Sequence, residues 1–221
     1  MNASYHVFGV TRSILGQPWR WRGGPADGLQ LMDIETQLYF SRGCLAHELE
    51  RYRAPTIREF MPDPSIFRDM ETRARRIADA VQAGETIVVF GDYDVDGATS
   101  AALMIRVLRA LGASAGYYIP DRLMEGYGPS AEALVRLGQN GARLIVTVDC
   151  GAQAFEALAA AKEAGVDVVV VDHHQCSTAL PPAVALINPN RLDEEEGAAH
   201  GHLAAVGVAF YARRERVQFP H

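Results

Sequence analysis

The sequence predicts an α/β fold in which helices flank a mostly parallel β-sheet. Strand-like and helix-like segments alternate at about 25–30 residues per unit, a spacing typical of βαβ connections. The strand-like segments are nearly continuous apolar runs rich in Val and Ile, as expected for strands buried on both faces. The predicted strands are 86–91, 114–119, 143–149 and 166–172.

Helical patterns precede and separate these strands. Residues 64–84 carry apolar side chains near helical spacing from Ile66 to Val81, and Gly84 is a typical helix stop. Residues 180–191, which follow the last predicted strand, contain three prolines and predict a loop. The other predicted helices are 41–53, 99–113, 130–142, 152–165 and 201–210.

The chain divides into three predicted parts. Residues 1–80 are expected to form an N-terminal arm and helices that pack on the core, with an irregular stretch rich in Gly, Pro and Trp at 16–28. Residues 81–210 are expected to form the α/β domain. Residues 211–221 are an atypical charged tail without a matching apolar face. We expect this tail to come from a truncated gene that continues in a foreign or shifted reading frame.

Composition limits the classes of function. The chain has 221 residues and a net charge of −6, so a nucleic-acid partner would need a local basic patch rather than the whole surface. No apolar run approaches the roughly 18 residues of a membrane span, which predicts a cytoplasmic protein without membrane contact. The three cysteines, Cys44, Cys150 and Cys176, are odd in number and widely spaced, which predicts reduced thiols.

Acidic and histidine side chains follow three of the four predicted strands, at the point where each strand ends. Open parallel sheets bind ligands at the carboxyl ends of their strands, so neighbouring strands would bring these side chains to one edge. Carboxylates with imidazoles suit manganese, magnesium, zinc or iron, and a shared carboxylate can hold two ions about 3.5–4 Å apart for phosphate-ester hydrolysis. These residues are Asp92, Asp94, Asp96, Asp149, Asp172, His173 and His174.

Simpler interpretations compete with a metal site. The Asp-x-Asp-x-Asp-Gly spacing opens a calcium-binding EF-hand loop, but that loop needs a glutamate at its twelfth position, where this chain has Leu103. Asp149 by itself could be a helix N-cap. Cys150 beside it is interpreted as a small core residue rather than a nucleophile, because no base is assigned to it.

The segment EGYGPS follows the second predicted strand and reaches the same edge of the sheet. Gly126 and Gly128 would let backbone N–H groups approach a substrate phosphate, with Ser130 as a further contact. A plain turn with Ser130 as the N-cap of the next helix is an alternative, and both interpretations can hold together.

Four motifs in this order resemble the DHH phosphoesterase superfamily: GDYDVDGATS, EGYGPS, TVDCG and VVVVDHH. The spelling is most similar to the members that degrade single-stranded DNA from its 5′ end. ERYRAPTIREFMPDP, INPNR and GHLAAVGVAF also look like those members, so the resemblance extends from about residue 40 to 210. It implies the DHH-phosphoesterase fold for residues 81–210.

The resemblance also implies a site with two divalent cations, Mn²⁺ or Mg²⁺. By motif match, Asp94 and Asp96 would be ligands, Asp149 would bridge the ions, and His173 would be a ligand supported by Asp172. Asp92 is a plausible extra ligand, because this chain has Phe90 where pyrophosphatase-like relatives carry a histidine. The resemblance further implies that His174 faces the scissile phosphate, as a charge stabiliser or proton donor.

The implied function is metal-dependent 5′-to-3′ hydrolysis of single-stranded DNA in repair and recombination. An alternative is a phosphodiesterase for short oligonucleotides or cyclic dinucleotides, although such members usually lack the first 80 residues. A third is an inactive fragment that binds metal, since the superfamily supplies a further aspartate ligand beyond this sequence. Partners would be single-stranded DNA and, through a C-terminal region absent here, a single-strand-binding protein or helicase.

Overall fold

The computed structural model describes residues 10–19, 34–61 and 63–212, and the chain divides into two units, Met1–Met61 and Pro62–His221. Most of the predicted arm at 16–28 and tail residues 213–221 lie outside the described residues, whereas 16–19 are irregular as predicted. The three-part division stays a prediction. Among the described residues, no helix is both long enough and apolar enough to cross a membrane.

The larger unit is built on a five-stranded sheet in which every paired neighbour is parallel, and this confirms the predicted fold class. The strand order is β2-β1-β3-β4-β5. The order reverses between β1 and β3, which opens a crevice at the carboxyl edge of an α/β sheet. The strands are β1 Thr86–Gly91, β2 Ser114–Tyr118, β3 Ala142–Val148, β4 Asp167–Val171 and β5 Ala185–Ile187.

Helices cover both faces of this sheet. Apolar residues of α6 and α7 pack with strand residues in one buried cluster, while α4, α5 and α8 contact the strands separately and α5 contacts α8. The burial of central strand residues on both faces explains their near-continuous apolar sequence. The helices are α4 Met70–Gln82, α5 Val95–Ala110, α6 Ala131–Gln139, α7 Phe155–Glu163 and α8 Ala205–Ala212, with 3₁₀ turns at Pro64–Ile66 and Glu196–His200.

The prediction of a loop at 180–191 was wrong in part, because β5 lies within it. The strand has only three residues and is flanked by prolines, so it is too short to show a strand period. Its pairing with β4 defines it, with Val170 opposite Leu186. β5 therefore depends on a tertiary contact.

The single helix predicted at 64–84 is interrupted before α4. Asp69 adopts a left-handed backbone conformation with φ 60°, which ends the preceding turn and starts a new helix. Its carboxylate accepts hydrogen bonds from the N–H of Leu186 at 3.1 Å and from Nη1 of Arg191 at 2.6 Å. These long-range partners hold a conformation that local spacing does not reveal.

The described residues of the smaller unit form three short helices, and the helix predicted at 41–53 is helical only at Ser41, where the first of these ends, and from residue 46 to 53. α1 Ile34–Ser41 ends before Gly43, whose φ of 84° turns the chain. A 3₁₀ turn at Ala46–Glu48 then leads into α2 Leu49–Arg53, and α3 Ile57–Phe60 follows. The Tyr52 ring lies 6.3 Å from that of Phe60, so aromatic packing joins α2 to α3.

Candidate metal centre

The sheet register brings the first two strand ends together. Gly91 of β1 pairs with Val148 of β3, so Asp92 and Asp149 are each the next residue after this last pair. Asp92 continues the ladder by donating its N–H to the Val148 carbonyl at 3.3 Å, and Asp149 does the same to Val171 at 3.0 Å. The carboxylates of these two strand ends therefore converge, as the sequence predicted.

Asp92 is buried, and burial raises the pKa of its carboxyl. Its Oδ1 has no hydrogen-bond partner among the residues that the structure describes. A buried carboxylate oxygen without a partner is costly, because it has lost water without gaining a donor. A cation at this position would supply the missing partner.

Asp94 is exposed and caps α5 by accepting the N–H of Gly97 at 2.9 Å. This backbone hydrogen bond lowers the pKa of Asp94, which keeps the carboxylate ionised. α5 thus begins at Val95, four residues earlier than the sequence predicted, because the cap was not recognised. Asp94 retains a second oxygen for a ligand.

Asp149 is buried and has φ 62°, a left-handed conformation that is uncommon for a residue with a side chain. Burial and the nearby carboxylates of Asp96 and Asp94, of which burial is the largest cause, together raise its pKa to about 8. Asp149 does not cap α7, whose N-cap position is Ala154. The N-cap interpretation is therefore excluded for this helix, and the cluster of like charges instead favours a cation.

Asp96 is engaged differently from its neighbours. Its Oδ2 accepts the N–H of Ala205 at 2.7 Å and its Oδ1 accepts the N–H of Val206 at 2.8 Å, so it caps α8. Asp96 Oδ2 also lies 3.8 Å from Nε2 of His173. Both of its oxygens already accept backbone hydrogen bonds, which compete with a cation for the carboxylate. The role of Asp96 as a metal ligand stays a prediction.

The two histidines follow β4 at the same edge. His173 Nε2 lies 3.3 Å from Oδ1 of Asp149, while its Nδ1 lies 2.9 Å from the carbonyl of Leu203. A carbonyl only accepts, so Nδ1 carries a hydrogen, and in the neutral imidazole the lone pair is then on Nε2. This is the tautomer that a metal ligand requires.

These side chains form two possible ligand groups that share Asp149. One consists of Asp92, Asp94 and Asp149, and the other of Asp149, His173 and His174, with the ligand atoms of each group within 4.8 Å of one another. The first group offers three carboxylates and the second offers one carboxylate and two imidazoles, a mixed donor set that suits manganese, magnesium, zinc or iron. The described residues thus fit a paired-cation centre.

Comparison with known proteins identifies the family. The protein-family model described as "DHH family, N-terminal domain" matches residues 86–220 of this chain. The chain belongs to the DHH family. The resemblance inferred from the four motifs is thereby confirmed.

Similar proteins are named single-stranded-DNA-specific exonuclease RecJ. The Bacillus subtilis protein is 37% identical over 184 residues, which cover 82% of this chain and 23% of that protein. The Salmonella typhimurium protein is 41% identical over 189 residues, which cover 85% of this chain and 31% of that protein. A crystal structure of exonuclease RecJ bound to manganese matches with a TM-score of 0.60 and 36% identity, covering 70% of this chain and 39% of that one. The chain thus spans between 23% and 31% of the length of these two curated relatives.

Within the DHH motif, the Asp172 carboxylate contacts the ring of His174, and its predicted support of His173 as a metal ligand stays a prediction. Asp172 Oδ1 lies 2.7 Å from Nδ1 of His174, whereas its contact with His173 is through the backbone N–H. The reason is that the His173 ring points to Leu203 instead. The hydrogen bond with Asp172 raises the pKa of His174, so this imidazole holds a proton more readily.

The EGYGPS loop of this DHH domain lies beside His174. Gly126 and Gly128 have φ values of 79° and 74°, and Ser130 caps α6 by accepting the N–H of Ala133. The N-cap interpretation of Ser130 is confirmed, while contact of these residues with a phosphate stays a prediction. Tyr127, which the sequence interpretation overlooked, places its hydroxyl 3.3 Å from His174 Nε2.

A cavity of about 300 Å³ opens next to this tyrosine, lined in part by Gly128, Gln153 and His174. Tyr127 is 58% exposed, and its ring meets that of Tyr93 edge-on with centroids 6.5 Å apart. The signal in the sequence was an aromatic residue between two glycines in a loop expected at the carboxyl edge of the sheet, because binding residues are often found on such loops. The three cysteines are buried free thiols, consistent with a core role for Cys150.

Proposed function

We propose that this chain carries the catalytic centre of a 5′-to-3′ exonuclease for single-stranded DNA that works with two Mn²⁺ or Mg²⁺ ions. The observation that carries the proposal is the pair of ligand groups joined at Asp149. One carboxylate shared by two groups suits two cations held close together. The similarity to proteins named RecJ supports DNA as the substrate.

The roles of the residues follow from their surroundings. Asp92 and Asp149 offer buried carboxylates, and His173 offers Nε2 from a ring whose Nδ1 is engaged by Leu203. When bound, the cations would neutralise the charge on the scissile phosphate and activate water. His174, oriented by Asp172, is suited to stabilise that phosphate or to donate a proton to the departing oxygen.

Single-stranded DNA fits the aromatic rings next to these residues, one exposed and one partly exposed. Tyr127 and Tyr93 present rings on which a base could stack, and the Arg122 guanidinium lies 5.0 Å from the centroid of the Tyr93 ring. Stacking on aromatic rings supported by arginine is a common way to bind unpaired bases, which expose their faces. Such local contacts are needed because the chain as a whole has a net charge of −6.

The test is cleavage of a single-stranded oligonucleotide with manganese, comparing wild type with Asp149→Asn and with Asp79→Asn. Asp79 is an exposed aspartate on α4, so its variant makes the same chemical change away from the strand ends. With the label at the 3′ end, we expect progressively shorter labelled fragments. With the label at the 5′ end, we expect release of labelled mononucleotide only.

Loss of these products in Asp149→Asn, and their retention in Asp79→Asn, would support the proposal. Manganese binding by calorimetry without cleavage by the wild-type chain would refute it and leave a metal-binding fragment. Cleavage confined to short oligonucleotides or cyclic dinucleotides would instead assign the site to the other substrate class.

A further inference from the structure

The two asparagines of the INPNR segment both bind the backbone of the DHH histidines. Asn188 donates from Nδ2 to the carbonyl of His174 at 2.8 Å. Asn190 donates from Nδ2 to the carbonyl of His173. INPNR begins at Ile187, the last residue of β5, and both asparagines lie in the loop after it. This loop therefore holds the residues that follow the neighbouring strand β4.

Asn190 makes a second contact that completes a closed circuit. The same Nδ2 donates to the carbonyl of Gly201 at 3.1 Å, in the turn that precedes α8. Two residues further on, the Leu203 carbonyl faces Nδ1 of His173 at 2.9 Å. One amide group therefore connects the backbone of His173 to the turn that contacts the ring of His173.

We propose that Asn190 is a positioning residue that holds His173 in the orientation and tautomer needed to bind a divalent cation. The inference deepens the proposed function and rests on it for the identity of the site. Through Gly201, Asn190 fixes where the Leu203 carbonyl lies, and this carbonyl keeps the hydrogen on Nδ1. In the neutral ring, Nε2 then faces Asp149 with its lone pair available.

The chemistry of this position calls for an amide donor. Both partners of Nδ2 are carbonyl oxygens, which only accept, so a carboxylate of the same shape would repel them. The geometry also explains why residue 201 is a glycine. Its φ of −58° is ordinary, so its backbone conformation does not require one. A Cβ added at Gly201 would lie 2.4 Å from Oδ1 of Asn190, so a side chain there would displace the asparagine.

The turn before α8 contacts Asp96 as well as His173. Asp96 accepts the N–H groups of Ala205 and Val206, just beyond Leu203. A shift of the turn would thus move the Asp96 contacts along with the His173 contact. Asn190 links this turn to the backbone of the DHH motif, in addition to the contact that the His173 ring makes with Leu203.

The first experiment measures manganese affinity by titration calorimetry for the wild-type chain, Asn190→Ala and Asn190→Asp. We expect both variants to bind manganese about 10–100-fold more weakly, the usual effect of losing a group that orients a metal ligand. Asn140→Ala is the matched control, because Asn140 is exposed at the end of α6, which leads to the opposite edge of the sheet. Thermal unfolding, followed by circular dichroism, ensures that binding is compared where every variant is folded.

A second readout reports the tautomer directly. In the metal-free protein, the ¹⁵N shifts of the His173 ring, assigned with a His173→Asn variant, distinguish Nδ1–H from Nε2–H. We expect Nδ1–H in wild type and in Asn140→Ala, and a mixture in Asn190→Ala. This measurement tests the inference even if the wild-type chain were to bind no manganese, an outcome that would refute the metal part of the proposed function alone.

The steric contact allows a double-mutant cycle. Gly201→Ala should weaken manganese binding in the wild-type background, because its Cβ displaces Asn190. In the Asn190→Ala background it should have little further effect, because the atom that it meets is gone. Additive effects would overturn the proposed route, and so would a lower melting temperature of Asn190→Ala with unchanged affinity and an unchanged His173 tautomer.

Discussion

Gly97, in the first turn of α5, provides a sharp test of how the turn after β1 forms the candidate metal centre. A Cβ added at Gly97 would lie 2.5 Å from the carbonyl oxygen of Asp92 and 2.7 Å from its carbonyl carbon. These are backbone atoms of a residue that continues the sheet by donating to Val148. The turn would have to move by about 1 Å to restore van der Waals contact, and Asp92 and Asp94 would move with it.

The expected magnitude combines two opposing effects. Replacing glycine by alanine inside a helix stabilises by about 0.5–1 kcal/mol, whereas forcing extra volume into a packed site costs about 1–3 kcal/mol. The difference is a loss of about 0–2.5 kcal/mol in the free energy of unfolding, and we expect Gly97→Ala to lie toward the upper end because the atoms that its Cβ meets are backbone atoms. A displacement of about 1 Å can also reduce the cleavage rate by about 100-fold.

Urea unfolding measures the first effect, and manganese titration with the cleavage assay measures the second. Gly116→Ala is the matched control, because a Cβ at this β2 position meets no atom within 4 Å and the backbone is not left-handed. Equal stability, manganese affinity and cleavage in Gly97→Ala and Gly116→Ala would show that the close approach at Asp92 does not set the site.

Three further variants test other parts of the structure. Arg191→Met removes the buried guanidinium that pairs with the partly exposed carboxylates of Asp69 and Asp193. We expect the free energy of unfolding, measured with urea, to fall by less than the about 3–5 kcal/mol that is typical when a fully buried ion pair is broken. Arg191 lowers the pKa of Asp193, so this difference should be present at neutral pH and shrink as the pH falls below about 4, and a difference independent of pH would contradict the pairing. Tyr127→Ala should weaken binding of single-stranded DNA by about 1–3 kcal/mol in fluorescence anisotropy if a base stacks there, while Tyr117→Ala, on an exposed ring of β2, should not. Asp172→Asn should lower turnover by about 100-fold or more, because it removes the carboxylate that orients His174, and it should affect manganese affinity less. A loss of manganese affinity without a loss of turnover would instead show that Asp172 acts on His173.

Local sequence patterns were sufficient for the larger elements of the sheet. β1, β3 and β4 appear within one residue of their predicted bounds, because long apolar strands followed by polar residues mark both the strand and its end. The convergence of Asp92, Asp149 and His173 also followed from the sequence. Parallel strands point their carboxyl ends to one edge, so residues at equivalent strand ends become neighbours.

Contacts between distant segments decided the remaining features. β5 exists through pairing with β4, the break before α4 depends on Asp69 binding Arg191, and Asp96 caps a helix more than a hundred residues away. No local period encodes these contacts, because each partner is satisfied only after the chain has folded. The sequence by itself determined the α/β sheet and the composition of the acidic edge. The tertiary structure decided which oxygen and nitrogen atoms at that edge are engaged and which remain available to a cation, because hydrogen-bond partners depend on three-dimensional packing.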